Sequence, residues 1–279
     1  MSTRTSDDIA PDGQPLELLF ERRELPQFEL PAALTEIYSG SLGFAAPRLF
    51  ANLVDSLDGV VALPGDVESG QVISGKNAAD RFVMGLLRSC ADAVLIGAGT
   101  FRKSPGHLWF PDRIYPPGAA LFAEARDRLG LEKQPTFAVV TRSGDIEVSE
   151  PALKDALIFT TRAGEERLRA HLSASTRLVV FEADRVYLSR VLEYLHAEGM
   201  QHVLTEGGPS LLAELVAAGL LDELFLTTAP TLFGRFAEDQ RKSLASGLDL
   251  AGTSLELLSA RRHGSHLFLR YAQTKSASR

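Results

Sequence analysis

Two glycine-rich segments carry residues that could hold a phosphorylated ligand and act on its organic part. In HVLTEGGPSLLAELVAAG, an apolar run from His202 ends at Thr205, Gly207 and Gly208 follow, and Pro209 stands where the first helical residue belongs. Proline costs a helix no hydrogen bond there. The free N–H groups and positive dipole end of such a helix suit a pyrophosphate, so Gly207, Gly208, Pro209, Ser210 and Leu211 are candidate cofactor contacts. Glu206, just before them, would repel an anion; its carboxylate suits hydrogen-bond donors on the organic part of a substrate. In DAVLIGAGTFR, a buried-type strand from Asp92 runs into Gly97, Ala98, Gly99 and Thr100. Glycines there let a ligand approach the backbone, and they equally suit a plain strand-to-loop turn. The dinucleotide fingerprint G-x-G-x-x-G is not completed, because Arg102 takes the place of the third glycine.

Weaker candidates lie elsewhere. Thr141, Arg142 and Ser143 close the run TFAVVT with a guanidinium between two hydroxyls, a grip for a phosphate monoester such as the 2′-phosphate of NADP. Thr160, Thr161 and Arg162 repeat the pattern one run later, and composition does not rank the two. Asp58 sits in SLDG, where Asp-Gly is first of all a turn signal. Arg88 falls late on an amphipathic stretch and suits either a substrate phosphate or a helix C-terminus. Six histidines (His107, His171, His196, His202, His263 and His266) match no zinc spacing, so no metal site is expected. Neither G-x-S-x-G nor a P-loop is present.

The elements that must position these residues follow from periodicity. Short β-type runs, RLFANLVDS, DAVLIGA, TFAVVT, ALIFTT, RLVVFE, HVLTE and ELFLTTA, alternate with helical stretches at Ala78 to Cys90, Leu121 to Leu129, Glu165 to Leu172, Leu188 to Ala197 and Pro209 to Ala218. That alternation predicts an α/β fold with a mostly parallel central sheet. SLELLSA and HLFLRYA predict an antiparallel C-terminal edge. In the first helix Phe82, Val83, Leu86 and Leu87 point to the core, leaving Asp80, Arg81 and Arg88 nearer the rim. Residues 102–135 hold Pro105, Pro111, Pro116 and Pro117 around Trp109, the only tryptophan. So long an irregular segment reads as a functional loop or an insertion, and His107 to Phe110 are expected to border a substrate pocket.

Composition bounds the rest. A net charge of −7 from 29 basic and 36 acidic residues argues against a nucleic-acid partner held by counterion release. One cysteine, Cys90, excludes an intramolecular disulfide framework. The polar N-terminus and the lack of a long apolar run predict no membrane span and a cytoplasmic protein. Three regions are expected: an extension over 1–47 whose first 15 residues are a disordered arm, a main domain over 48–272, and a disordered tail over 273–279.

Taken in order, SLDG, ISG with ADRFVMGLLR, DAVLIGAGTFR, VVTRSG, LTEGGPSLLAELVAAGLLDEL and LTTAPTLFG resemble the reductase domain of bacterial riboflavin-biosynthesis deaminase-reductases. The stand-alone pyrimidine-reductase-like proteins of actinobacteria are the more particular likeness, over about Arg48 to Tyr271. The resemblance implies a dihydrofolate-reductase-like three-layer fold, NADPH as hydride donor, a small-molecule substrate and a homodimer. Cofactor positions then fall on Val54, Ser74, Thr100, Thr141 to Ser143 and Gly208 through Leu211, beside Gly97, Gly99 and Gly207 read from the glycine-rich segments themselves. Substrate positions fall on Asn52, Arg88 and Glu206, with Asp58 or an ordered water delivering a proton. The implied reaction moves hydride to C1′ of the open, imine-like form of a phosphoribosylamino-pyrimidinedione. Deaminase-fused members carry lysine where Asn52 stands and an acidic pair where Ser104 and Pro105 stand, and the deaminase signature H-x-E with P-C-x-x-C is absent. A pterin or dihydrofolate-like substrate, or NADPH binding without turnover, are the alternative readings.

Overall fold

Alternation of apolar residues along the expected runs builds one ten-stranded sheet. The computed structural model describes residues 9–65, 67–235 and 240–274. In chain order its elements are β1 (Glu17–Glu21), α1 (Ala32–Tyr38), β2 (Arg48–Ser56), β3 (Val60–Ala62), α2 (Ser69–Ile73), α3 (Ala78–Ser89), β4 (Ala93–Gly97), α4 (Ala98–Arg102), α5 (Pro111–Ile114), α6 (Ala119–Arg128), β5 (Thr136–Val140), β6 (Leu157–Thr161) and α7 (Arg162–Leu168). There follow β7 (Arg177–Phe181), α8 (Leu188–Ala197), β8 (His202–Thr205), α9 (Pro209–Ala217), β9 (Glu223–Ala229), β10 (Lys242–Ser243), β11 (Leu255–His263) and β12 (His266–Gln273). The strand order is β1, β11, β12, β9, β2, β8, β4, β5, β6, β7. From β9 to β7 neighbours are parallel; β12, β11 and β1 add an antiparallel edge. A separate two-stranded sheet pairs β3 with β10.

Helices cover both faces of the parallel part, giving the three layers expected. Leu49, Ala51, Leu95 and Val203 point to one face and pack with Val191, Leu195, Leu212 and Leu215 of α8 and α9. Phe50, Val94, Ile96 and Leu204, one residue out of phase, point to the other and pack with Phe82, Leu86 and Phe122 of α3 and α6. Each of these side chains larger than alanine contributes about 1.5–3 kcal/mol on burial. α3 begins where Asn77 Oδ1 accepts from the Asp80 N–H at 3.0 Å, a side-chain cap of the ordinary kind. Gly85 lets Phe122 lie against it, since a Cβ there would come within 2.6 Å of the ring.

Two expectations change. The first 15 residues are not a loose arm throughout: Ile9, Ala10 and Pro11 are buried, and Tyr115 Oη donates to the Ile9 carbonyl at 2.6 Å. The extension also supplies the edge strand β1, whose Glu21 pairs with the buried Arg261. Residues 1–8 lie outside the described residues. At the other end Gln273 closes β12 and the Thr274 N–H donates to Ser254, so of the expected tail only 275–279 remain, outside the described residues. The second change concerns α3, where Asp80 and Arg88 are buried at 5% and 0% exposure rather than lying at the rim. Residues 102–135 fold into α4's last residue, α5, a short 3-10 turn and α6. No helix among the described residues is long and apolar enough to cross a membrane.

Candidate functional site

A cleft of about 720 Å³ opens where parallel strands end. This is the edge at which open α/β sheets bind ligands, and the volume lies within the roughly 300–1,000 Å³ usual for small-molecule sites. Asn52 and Val54 come from β2, Gly97, Gly99 and Thr100 from the β4–α4 junction, and Glu206 through Leu211 from the β8–α9 junction. α3 adds Asp80, Arg81, Met84 and Arg88, while β3, β10 and the segment through α2 form the opposite wall with Leu63, Glu68, Ser74 and Lys242. Lys103 Nζ donates to the Leu63 carbonyl at 3.1 Å and so ties the two walls together.

The β8–α9 turn is fixed from below. Thr205 Oγ1 donates to the Leu95 carbonyl at 2.9 Å and accepts from the Gly207 N–H at 3.2 Å. Gly208 caps α9 without any side-chain acceptor, Pro209 follows, and no acidic residue enters the first turn. The N–H groups and positive end of α9 are therefore left for a ligand. A Cβ on Gly208 would stand 3.2 Å from Thr100 Oγ1, and one on Gly207 would collide with Leu211, whereas Gly97 and Gly99 face open space. Of the four, Gly207 and Gly208 are the positions where a side chain would be crowded.

At the floor, Arg88 Nε and a terminal nitrogen donate to the two oxygens of Glu206 at 2.8 and 2.6 Å. The pair is buried, with side chains 0% and 7% exposed. Arg88 also donates to the Phe110 carbonyl at 3.3 Å and meets His107 Nε2 at 3.2 Å. Guanidinium has only donors, so His107 Nε2 accepts and its proton sits on Nδ1, 3.4 Å from Glu68. That contact holds the Glu68 carboxyl below the ordinary range against a smaller desolvation effect. Arg88 thus orients a carboxylate and is not left open for a phosphate.

Asp58, expected near the reacting centre, is not among the residues lining the cleft. Its carboxylate accepts from Ser56 Oγ at 2.5 Å and from the N–H groups of Phe233 and Gly234 at 3.2 and 2.7 Å. The Ser56 hydrogen bond, first, and the two N–H groups hold its carboxyl below the usual range. An ionised turn residue is a poor proton donor. Thr141, Arg142 and Ser143 also lie outside the cleft lining, one strand further along the same edge, since Gly97 is in register with Val140. Thr141 is buried and accepts from the Gly144 N–H at 3.1 Å; Arg142 and Ser143 are exposed.

The profile of the RibD C-terminal domain matches residues 47–269. The chain belongs to the RibD C-terminal domain family. It is 27% identical over 191 residues to the 2,5-diamino-6-ribosylamino-4(3H)-pyrimidinone 5′-phosphate reductase of Archaeoglobus fulgidus, covering 67% of this chain and 82% of that one. The reductase of the same name from Methanothermobacter thermautotrophicus is 30% identical over 190 residues, covering 67% and 80%. Among solved structures, a pyrimidine reductase-like protein from Corynebacterium diphtheriae shares the fold with a TM-score of 0.67 at 22% identity, over 89% of this chain and 96% of that one. Acinetobacter baumannii RibD gives a TM-score of 0.63 at 20% identity, over 82% and 59%.

In this RibD C-terminal domain, the cleft unites most residues singled out by sequence: Asn52, Val54, Ser74, Arg88, Gly97, Gly99, Thr100 and Glu206 through Leu211. His107 and Trp109 line it too, Trp109 being stacked on Phe137 with centroids 4.5 Å apart. Leu108 and Phe110, also expected at the border, are not among the lining residues; the Phe110 carbonyl accepts from Arg88. Sequence reading missed Glu68, Arg81, Lys103 and Lys242. It also missed Asp80 as a cleft residue, although Asp80, Met84 and Arg88 at i, i+4 and i+8 form one helical stripe.

Proposed function

We propose that the protein is an NADPH-dependent reductase that delivers hydride to C1′ of a phosphorylated ribosylamino-pyrimidine in its open, imine-like form. The observation that supports this reading best is a helix N-terminus left uncapped, opening on a glycine-lined passage, beside a buried carboxylate already aligned by arginine. Membership of a reductase family and two relatives named as pyrimidinone 5′-phosphate reductases point the same way.

The residues present fit the cofactor. Gly97, Gly99, Thr100 and Gly207 through Leu211 would hold its pyrophosphate, and the exposed Arg142 with Thr141 and Ser143 its 2′-phosphate one strand away. Val54 and Ser74 would flank its nicotinamide. When bound, NADPH supplies the hydride. Glu206 accepts hydrogen bonds from N–H groups of the pyrimidine, and Arg88 keeps both its oxygens in place; Asn52 offers an amide beside them. Because Arg88 is engaged, the substrate phosphate falls to Arg81 and Lys103 on the cleft wall. Holding the two reacting carbons in near-attack contact supplies most of the acceleration in such a transfer. The working state proposed is a cytoplasmic homodimer, which sedimentation would test.

Steady-state NADPH oxidation with the phosphoribosylamino-pyrimidine, its dephosphorylated form and dihydropterins tests the assignment. Turnover of the phosphorylated pyrimidine alone is expected. Turnover of dihydropterin alone would replace the substrate, and NADPH binding without turnover of any would remove the activity.

A further inference from the structure

Adding hydride to C1′ of a C=N bond pushes the π pair onto nitrogen, which must gain a proton in the same event. The donor must face the cleft and carry a proton near neutral pH. Among the described residues, three carboxyl groups line the cleft: Glu68, Asp80 and Glu206. Glu68 is held ionised by His107, and Glu206 is locked in two hydrogen bonds from Arg88. His107 aims its proton at Glu68 and its lone pair at Arg88. Asp80 has none of these commitments.

Asp80 occupies the first turn of α3 and lines the cleft. It faces the hydroxyls of Ser74 and Thr227, and only 5% of the residue is exposed. Burial, first, pushes its carboxyl up to about 6, and the charge of Glu206 adds to the shift; Thr227, Ser74 and Arg81 oppose it. Among the described residues the charges acting on it are Glu206 from the end of β8 and Arg81 from its own helix; His266 of β12 meets Asn77 and the Ser74 carbonyl at 3.2 Å each, further out. Desolvation of this kind is how a carboxylic acid stays protonated near neutral pH.

We infer that Asp80 is the acid that protonates the substrate nitrogen during hydride transfer. This rests on the reductase reading above. Hydride leaves NADPH for C1′, the C=N π pair becomes a lone pair on nitrogen, and the Asp80 proton forms the new N–H bond. The products are NADP⁺, a secondary amine and an Asp80 carboxylate, which solvent reloads through the cleft mouth. The active form is the protonated one, so kcat is flat below pH 6 and falls about tenfold per unit above it as the proton is lost.

Asp80→Asn tests this directly. The variant keeps the shape and the NADPH affinity measured by calorimetry, loses on the order of 100-fold or more in kcat, and loses the alkaline limb. Thr227→Val serves as a second probe: removing a hydroxyl that favours the ionised carboxylate moves the limb to higher pH, an effect a structural role would not produce. A wild-type kcat or an unchanged limb in Asp80→Asn, or an unmoved limb in Thr227→Val, overturns the inference while leaving the reductase intact. A wild-type protein that turns over no pyrimidine removes the reading and the inference together.

Discussion

Two strand-to-helix junctions leave the same edge of the sheet, and they treat the helix N-terminus in opposite ways. Where β6 enters α7, Thr161 Oγ1 accepts from the Gly164 N–H at 3.4 Å and donates to the Arg142 carbonyl at 2.8 Å. Glu165 then places a carboxylate in the first turn, paired with Arg162 and Arg169. Where β8 enters α9, the cap is a bare glycine and the first turn has no acid. Glu206, just before the cap, is drawn away by Arg88. The first junction satisfies its own donors and dipole; the second leaves them to a ligand. Thus in the cluster of Thr160, Thr161 and Arg162, indistinguishable by composition from Thr141, Arg142 and Ser143, it is Thr161 that caps the helix, while Arg162 pairs with Glu165 and Glu182.

The largest expected effect separates the ion pairs of the two junctions. Arg88→Ala strands a buried Glu206 and is expected to cost about 3–5 kcal/mol, lowering the melting temperature by on the order of 10 °C and abolishing turnover. Arg162 is 58% exposed in its pair, and screening by water makes Arg162→Ala nearly silent. Equal shifts for the two variants in differential scanning calorimetry would erase the distinction.

Next comes the charge at each cap. Gly208→Asp sets a carboxylate against the proposed pyrophosphate and is expected to raise the NADPH Kd on the order of 100-fold, since like charges juxtaposed at an interface cost several kcal/mol. Thr161→Asp, a competent cap at the other junction, leaves the Kd unchanged. Gly208→Ala separates crowding of Thr100 from charge. If all three variants bind alike in calorimetry, α9 does not hold the cofactor. Smaller still, Thr161→Ala removes a cap worth about 1 kcal/mol, a shift of roughly 2–4 °C, with no change in affinity.

How much of this was legible depended on whether neighbours along the chain shared a role. β2, β9, α8 and the start of α9 begin where the sequence places them, because alternation and the Pro209 signal are local. β1 was not legible: ELLFE at an edge is exposed on four of its five residues, so no alternation marks it. The cleft glycines and Glu206 were readable from their junctions. The partnership of Arg88 with Glu206 was not, being a contact 118 residues apart, and without it Arg88 reads as a phosphate ligand. Asp80 was hidden for a related reason. A helical wheel assigns charged residues to the rim, and only tertiary packing against Ser74 and Thr227 turns this one inward.

The smallest expected effect concerns Asp58, which contrasts with Asp80 in the same way that α7 contrasts with α9. Asp58 is satisfied by its own turn, through Ser56, Phe233 and Gly234, and its carboxyl is held below the usual range. A depressed folded-state value contributes stability above the unfolded value of about 3.9, and this is lost as pH falls through the folded one. Wild-type protein should therefore lose melting temperature more steeply below about pH 4 than Asp58→Asn does. Near neutrality the carboxylate is ionised throughout, so the kcat profile of Asp58→Asn should keep its alkaline limb. Loss of that limb in Asp58→Asn, with its retention in Asp80→Asn, would transfer proton delivery from the cleft wall to the turn.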